Sequence, residues 1–249
     1  MDDKQLQFLL GRRALNQAAT KDYTDWAEAL LYSNPNSENA EILASMGYER
    51  DPLTEEIEKY FLATLNDLKF NIPSNEQCIG DYVRLVCTQI ISGEIDAIRG
   101  TELLEITYEK SDYTGLYSIW YGATEDIRNV RDYGEEVGFY NTGLTKDNLP
   151  SYLKSIAQQF LTLLDIELPG EFFNLSICLQ CKHVSKPSFV RHEKPWLPAV
   201  IYRLIYNTQP AVRPVCPNCN ADFPGMMQDF KAREMYLNTY HNTTQKPPL

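Results

Sequence analysis

The 249-residue sequence lacks the common signatures of catalysis and of cofactor binding. Its three histidines are His183, His192 and His241. None of them lies in a His-Glu-x-x-His motif or beside a nucleophile, and there is no P-loop, Rossmann glycine pattern or kinase signature. Adjacent acids such as Glu55-Glu56 and Glu135-Glu136 are typical of a solvated face rather than of an acid-base pair. We therefore expect a non-enzymatic role.

Long apolar runs are also missing. None reaches the roughly eighteen residues that a membrane-spanning helix requires, so we expect no membrane partner. The start, Met-Asp-Asp-Lys, has no basic segment followed by an apolar stretch, which predicts that a secretory signal is absent. Hydrophobic residues make up 43% and charged residues 23% of the chain, as in an ordinary globular protein.

Cysteine is scarce, but four of the six cysteines form two couples in the last third of the chain. These are Cys178-Leu-Gln-Cys181 and Cys216-Pro-Asn-Cys219. A Cys-x-x-Cys turn directs two sulfurs at one metal, and two such turns complete the tetrahedral shell of a structural Zn²⁺ site. The spacing therefore predicts one structural zinc, and metal-bound cysteines favour a reducing cytoplasm as the compartment.

Other interpretations of the cysteines and histidines are less economical. A thiol-disulfide redox pair would need a strand-turn-helix context that is not evident before Cys216. His183 and His192 lie near the couples, but four cysteines already complete the shell, so we expect neither histidine to be a ligand. Cys78 and Cys87 fall in an apolar helical pattern and are expected in a core.

The charge is unevenly distributed along the chain. Residues 1–165 contain 14 Lys and Arg against 28 Asp and Glu, a net charge of −14, whereas residues 166–249 contain 9 against 6, a net charge of +3. An acidic body repels a phosphate backbone, so we expect no nucleic-acid binding by residues 1–168. Only the C-terminal part remains a candidate for that role.

The periodicity predicts a mainly α protein with an acidic, all-helical domain over residues 1–168. Apolar spacing and helix-end signals place helices at about 3–19, 22–33, 37–46, 52–70, 74–93, 95–109 and 149–165. Ser74 begins a capping box and Gly93 ends the same helix, while Pro52 and Pro150 suit first-turn positions. The aromatic and acidic stretch 112–145 has no clear period, and its rings favour core packing over an exposed binding surface.

After Pro169-Gly170 the pattern becomes extended, which predicts a small α+β zinc-ribbon-like module over residues 169–249. Strands are expected at 172–178 and 212–216, each leading into a cysteine couple, and a helix at 228–240. The 34 residues between the couples must form an element of their own, since loop-closure cost grows only slowly with length. Within them, residues 196–206 suit either a strand or a short helix begun by Pro198.

A family resemblance covers about residues 22–128. It is carried by Trp26-Ala27, Ile42-Leu43-Ala44, the run Glu56-Ile57-Glu58-Lys59-Tyr60-Phe61 with Leu65, Tyr82, the run Ile90-Ile91-Ser92-Gly93-Glu94-Ile95, and Gly100. In these residues the sequence resembles small helical bacterial proteins, mostly uncharacterised, some of which are immunity or defence components. The resemblance implies a helical fold and a protein partner, and it implies no catalytic residues.

Two functions follow as hypotheses. The first is a non-enzymatic zinc protein that acts through protein–protein interaction, with the acidic helical surface engaging a basic partner, as in bacterial immunity. The second is a zinc-ribbon nucleic-acid-binding or regulatory factor. Its cationic contacts would be Arg191, Lys194, Arg203 and Arg213, which are interleaved with Trp196, Tyr202 and Tyr206.

Overall fold

The computed structural model describes residues 3–34, 36–110, 115–133, 140–191, 193–194, 196–222 and 224–244. The predicted class is confirmed, because helices dominate and the strands are short and confined to the C-terminal part. The chain divides into two compact units, Met1–Asp112 and Tyr113–Leu249. No helix in the described part of the chain combines the length and the apolar character needed to cross a membrane.

The first unit is an all-helical bundle. Its helices are α1 Asp3–Ala14, α2 Thr20–Ser33, α3 Glu38–Ser45, α4 Thr54–Asp67, α5 Asn75–Ser92 and α6 Ala97–Lys110. Helix α1 packs on α5, α5 on α6, and α3 on both α2 and α4. Phe61 lies at the centre of one core cluster, with the rings of Tyr23 and Trp26 edge-on at 5.1 and 5.2 Å. Such edge-to-face contacts are a favoured aromatic geometry.

The predicted helix ends of this unit are partly confirmed. Ser74 and Gln77 form the capping box of α5, and Gly93 ends that helix in the left-handed conformation at φ 83°. Helix α1 was expected to continue to residue 19 but ends at Ala14, and Asn16 lies in the left-handed region at φ 54°. Helix α4 begins at Thr54, two residues after the expected proline start.

The second unit combines helices with two small sheets. Its elements are α7 Ser118–Tyr133, α8 Leu149–Leu164, β1 Ser176–Ile177, β2 Val184–Ser185, β3 Ser188–Arg191, α9 Ala199–Tyr206, β4 Val212–Val215, β5 Gly225–Met226 and α10 Phe230–Thr244. One antiparallel sheet has the order β2-β1-β5, and β3 pairs with β4 in the other. The expected strand 172–178 is a 3-10 turn over 172–174 followed by the two-residue β1.

The boundary between the compact units falls at 112/113, whereas the sequence pattern placed a boundary at 168/169. The reason is that α8 joins the C-terminal segment through buried polar contacts. Arg233 of α10 is 1% exposed, and its Nε donates to Gln159 Oε1 of α8 at 2.7 Å. Gln159 Nε2 in turn donates to the Phe230 carbonyl at 3.1 Å. Burial lowers the pKa of Arg233 to about 10.

The aromatic stretch 112–145 contains α7, whose apolar side faces α8. Trp120 is fully buried, and its ring lies 5.1 Å from that of Phe160. Core packing is thus the role of Trp120, as predicted, while Tyr133 is exposed. Tyr113 and Phe139, which belong to the same predicted cluster, lie outside the described residues.

Candidate metal centre

The first cysteine couple forms the tip of a short hairpin. Strand β1 leads into Cys178 and pairs with β2, so that Ile177 lies opposite Val184. The Lys182 N–H donates to the Cys178 carbonyl at 3.0 Å, and the Cys178 N–H donates to the His183 carbonyl at 3.0 Å. These two bonds fold residues 178–183 into a tight knuckle. Within it, the Cys181 N–H points at the Cys178 sulfur, 3.5 Å away.

The second couple repeats the same backbone pattern. Strand β4 leads into Cys216, and Val215 forms an isolated antiparallel bridge with Asp222. The Asn220 N–H donates to the Cys216 carbonyl at 2.9 Å, and the Cys216 N–H donates to the Ala221 carbonyl at 2.9 Å. In both couples, the residue four positions after the first cysteine donates to that cysteine's carbonyl, and the cysteine N–H donates to the carbonyl of the residue five positions after it. Two equivalent knuckles face one another.

The four sulfur atoms converge on one point. All four lie within 4.8 Å of one another, with Cys178 Sγ 3.5 Å from Cys219 Sγ and Cys181 Sγ 3.7 Å from Cys216 Sγ. A tetrahedral ion with metal–sulfur bonds of about 2.3 Å sets its ligands roughly 3.8 Å apart. A disulfide would instead bring two sulfurs to about 2.05 Å. All four cysteines are free, and they are positioned to hold a metal ion.

The local hydrogen bonds favour thiolates at two of these positions. A hydrogen bond from the Asn218 side-chain amide, at 3.5 Å, and one from the His183 N–H lower the pKa of Cys181 to about 6. The Cys181 N–H is the chief cause of the lowered pKa of Cys178. The Ala221 N–H stabilises the Cys219 thiolate, yet the neighbouring sulfurs raise that pKa to about 12. Thiolate is the form that a metal binds.

The arrangement suits structure rather than catalysis. Cys178 and Cys216 are buried while Cys181 and Cys219 are exposed, so the cluster lies at the surface end of the two hairpins. Four sulfurs fill a tetrahedral shell and leave no position for an activated water, in contrast to catalytic sites with three protein ligands. Among the described residues, the metal-ligating group consists of these four cysteines alone.

Among the described residues, Cys78, Cys87 and His183 are not members of the sulfur group. His183 contributes its backbone to the first knuckle and is not a member of the sulfur group. His192 lies outside the described residues. Cys78 and Cys87 are buried in α5, and burial raises the pKa of both thiols.

The four cations of the nucleic-acid hypothesis all belong to the segment between the knuckles. Arg191 stacks 5.0 Å over the Tyr202 ring and donates to the Glu193 carbonyl at 2.9 Å. Lys194 lies 4.0 Å from the Tyr206 ring and hydrogen-bonds its hydroxyl. The Arg213 guanidinium pairs with Asp222 at 2.6 Å. Arg203 is exposed on α9.

Two features of this region were not predicted from the sequence. Asn218 supports the Cys181 sulfur, and its place inside the second couple was the only available signal. The second feature is the exposure of α9, a helix over residues whose short apolar run also suited a strand. Comparison of the chain with protein-family models, with curated proteins and with solved structures gave no match.

Proposed function

We propose that the four cysteines bind one Zn²⁺ as a structural ion and that the protein acts by binding another protein, without catalysis. The convergence of four sulfurs at tetrahedral spacing on two hydrogen-bonded knuckles is the observation that supports the zinc. Zinc bound in this way contributes its binding free energy to the folding of the segments it joins. In this proposal the ion shapes the C-terminal part as a zinc-ribbon-like module and is not exposed to a substrate.

The charge of the first unit supports a basic protein as the partner. Residues 1–112 carry 21 Asp and Glu against 10 Lys and Arg. Among the described residues, six of those cations form ion pairs within the unit, for example Arg12 with Asp22 and Arg13 with Glu58. Each pair uses one acid, so the excess of eleven acids is unchanged. The remaining surface therefore has a large excess of carboxylates, which attracts and orients a positively charged partner.

A cleft beside α2 is the best anchor for such a partner. It has a volume of about 460 Å³. Its wall carries the carboxylates of Asp25, Glu28, Glu49 and Asp51 and the cations Lys21 and Arg50, and Lys21 pairs with Asp25 at 2.8 Å. Tyr48, which lines the same cleft, is 87% exposed. An exposed tyrosine in a cleft where acids outnumber cations suits a lysine or arginine of a binding partner, because aromatic and charge-assisted contacts then act on the same side chain.

The resemblance of residues 22–128 to bacterial immunity and defence components agrees with this proposal. In that setting the basic partner would be a nuclease-type toxin, whose own positive surface serves nucleic-acid binding. Nucleic-acid binding by this chain is the weaker alternative, because Arg191, Lys194 and Arg213 are engaged within it and only Arg203 of the four candidate cations is exposed without such a contact.

The test is a pull-down with the full-length, tagged chain at low and at high ionic strength. We expect a basic protein to be retained at low salt and to be released as salt screens the surface charges. The double charge reversal Glu49→Lys with Asp51→Lys should weaken retention, whereas Glu167→Lys, an exposed acid of the second unit, should not. A chain that retains no protein, or a complex that ignores both salt and the double reversal, would contradict the proposal.

A further inference from the structure

The segment between the two knuckles carries an unusual concentration of exposed apolar side chains. We call the following residues the insertion surface: Phe189, Trp196, Val200, Ile201, Leu204, Ile205, Tyr206 and Val212. Leu204 and Trp196 are 80% and 76% exposed. Soluble chains seldom leave so many large apolar groups together in water unless the patch is an interaction site.

Helix α9 is apolar on nearly every side. Its sequence Ala-Val-Ile-Tyr-Arg-Leu-Ile-Tyr contains one charged residue, Arg203, and Tyr202 is its one buried residue. A helix of this kind is normally enclosed by other protein. Eight residues span only about 12 Å, so α9 is far too short to cross a membrane.

The strands beside α9 extend the same surface. Arg191 lies opposite Val212 in the β3-β4 register, and Phe189 lies two residues before Arg191. Cross-strand partners and alternate residues share a face, so all three side chains are on one side of the hairpin. Arg191 stacks 5.0 Å over Tyr202 on that side, which places α9 next to Phe189 and Val212. The exposed side chains of the hairpin and those of α9 are therefore neighbours at this point.

The surface is large enough for a stable interface. Phe189, Trp196 and Tyr206 are 64%, 76% and 43% exposed, which amounts to roughly 350 Å² at about 150–250 Å² for each aromatic side chain. The five aliphatic members add roughly 300 Å² at about 90 Å² for each full side chain. The sum approaches the roughly 800 Å² that each partner of a typical stable complex buries.

The charges around the surface bear on whether it binds an anionic lipid surface or a second copy of this chain. An anionic lipid surface would need several free cations at its edge, but Arg191, Lys194 and Arg213 are engaged by tyrosine rings or by Asp222, which leaves Arg203 as the one exposed cation of α9. A second copy of the same apolar surface needs no free cation, and apolar interface cores are characteristic of homodimers.

We propose that the insertion surface binds the same surface of a second copy of this chain, which gives a two-fold homodimer centred on α9. A two-fold contact uses one patch on both copies and closes without further growth. Trp196 and Leu204, the most exposed members, are the expected centre of the contact, since buried aromatic anchors dominate interface energies.

The metal centre controls the shape of this surface. Strand β4 runs directly into Cys216, and β3 follows the β1-β2 hairpin of the first knuckle. The four sulfurs therefore hold the two ends of the insertion together. Without the metal, the β3-β4 pairing remains but its base is no longer joined to the first knuckle. Loss of the metal should therefore loosen the surface and weaken the dimer. This dependence rests on the metal site of the proposed function but not on its basic partner.

The experiment is sedimentation velocity on the full-length, metal-loaded chain. We expect a species of twice the 28.7 kDa chain mass at concentrations up to about 100 µM, where a dimer with a Kd of about 1 µM is almost fully formed. Leu204→Glu should give a monomer that keeps its metal and its circular dichroism. Leu53→Glu, a matched change at a leucine that is 65% exposed in the first unit, should remain dimeric.

A strong chelator should convert the wild-type dimer to monomer, and added metal should restore it. Trp196→Ser provides a second, uncharged test and should weaken the dimer at least tenfold. A wild-type chain that stays monomeric, or a dimer that survives both Leu204→Glu and Trp196→Ser, overturns the proposal. Co-sedimentation of a monomer with vesicles containing phosphatidylserine would also overturn it, because the surface would then bind lipid.

Discussion

Lys182 and Asn220 occupy the same position in the two knuckles, each directly after the second cysteine of its couple, with φ of 59° and 58°. Both N–H groups donate to the carbonyl of the first cysteine, which is the contact that closes each knuckle. Asparagine enters this left-handed region readily, whereas lysine does so at a cost of roughly 1–2 kcal/mol. The first knuckle is therefore the more strained of the two.

Replacing Lys182 by glycine should relieve that strain. We expect Lys182→Gly to raise the free energy of unfolding of the metal-loaded chain by about 0.5–1 kcal/mol, after the extra flexibility of the unfolded glycine is subtracted. Asn220→Gly should change it little. Denaturant unfolding measures both. Lys182→Ala is the control, because alanine keeps the Cβ and should give no gain; an equal gain for alanine would show that backbone strain is not the cause.

The cysteine couples and several helix ends could be predicted because their signals are local. Ser74 and Gln77 lie three residues apart, and Gly93 ends α5 where only a residue tolerant of positive φ fits. A Cys-x-x-Cys turn is equally local. Lysine seldom adopts a positive φ, but the geometry of the turn overrides this preference, and Lys182 has the same conformation as Asn220.

The rest of the fold depends on contacts between distant residues. The boundary near 168 was placed on a Pro-Gly signal, but the bond from Arg233 to Gln159 spans 74 residues and ties α8 to the C-terminal part. The periodicity of a local segment cannot predict a contact between residues so far apart in the sequence. For residues 196–206 the sequence left a strand and a short helix begun by Pro198 open, because the run is too short for periodicity to decide. The structure shows the helix, α9, with Pro198 as its N-cap.

Two glycines of the first unit should respond in opposite ways to alanine. A Cβ at Gly100 of α6 would lie 2.4 Å from Ile90 Cγ1 of α5, whereas one at Gly80 would meet nothing within 4 Å. We expect Gly100→Ala to destabilise the chain by about 1–3 kcal/mol through forced displacement of the packed isoleucine. Gly80→Ala should stabilise it by about 0.5–1 kcal/mol. Urea unfolding tests the pair, and a gain at both positions would disprove close α5-α6 packing.

Alkaline pH should weaken the first unit through Tyr82. The ring is 1% exposed, and burial raises its pKa to about 12, compared with about 10 in an unfolded chain. Because the folded state disfavours the phenolate, this contribution to stability is complete below pH 10 and declines as the pH rises towards 12. Tyr82→Phe removes the titrating group, so the variant should lose about 2 kcal/mol less than the wild type between about pH 8 and pH 12.

The measurement for Tyr82 is urea unfolding across that pH range, followed by circular dichroism. Tyr23, whose pKa burial also raises to about 12, remains in the variant and should leave part of the alkaline loss in place. Tyr48→Phe is the control because Tyr48 is 87% exposed and should not alter the pH profile. Identical profiles for wild type and Tyr82→Phe would show that the buried phenol is not responsible.

Metal content gives the most direct test of the cysteine cluster. We expect about one zinc per chain. Cys178→Ser should lose the zinc, because only three sulfurs remain and Cys178 is buried, so that water cannot easily take the place of the missing ligand. Asn218→Ala removes the hydrogen bond to Cys181 Sγ and should weaken zinc binding roughly 10–100-fold, as for other outer partners of metal ligands. Cys78→Ser, remote in α5, should keep the full zinc content.

Removal of the metal by a chelator should affect the stability of the two units differently in the same preparation. The first unit contains no member of the sulfur cluster and should keep its thermal transition, whereas the cooperative unfolding of the second unit should be lost. Thiol titration adds an independent readout, because Cys178, Cys181, Cys216 and Cys219 should become reactive only after the chelator is added. Full zinc content in Cys178→Ser, or four reactive thiols before chelation, would contradict the assignment and would favour redox chemistry at the couples.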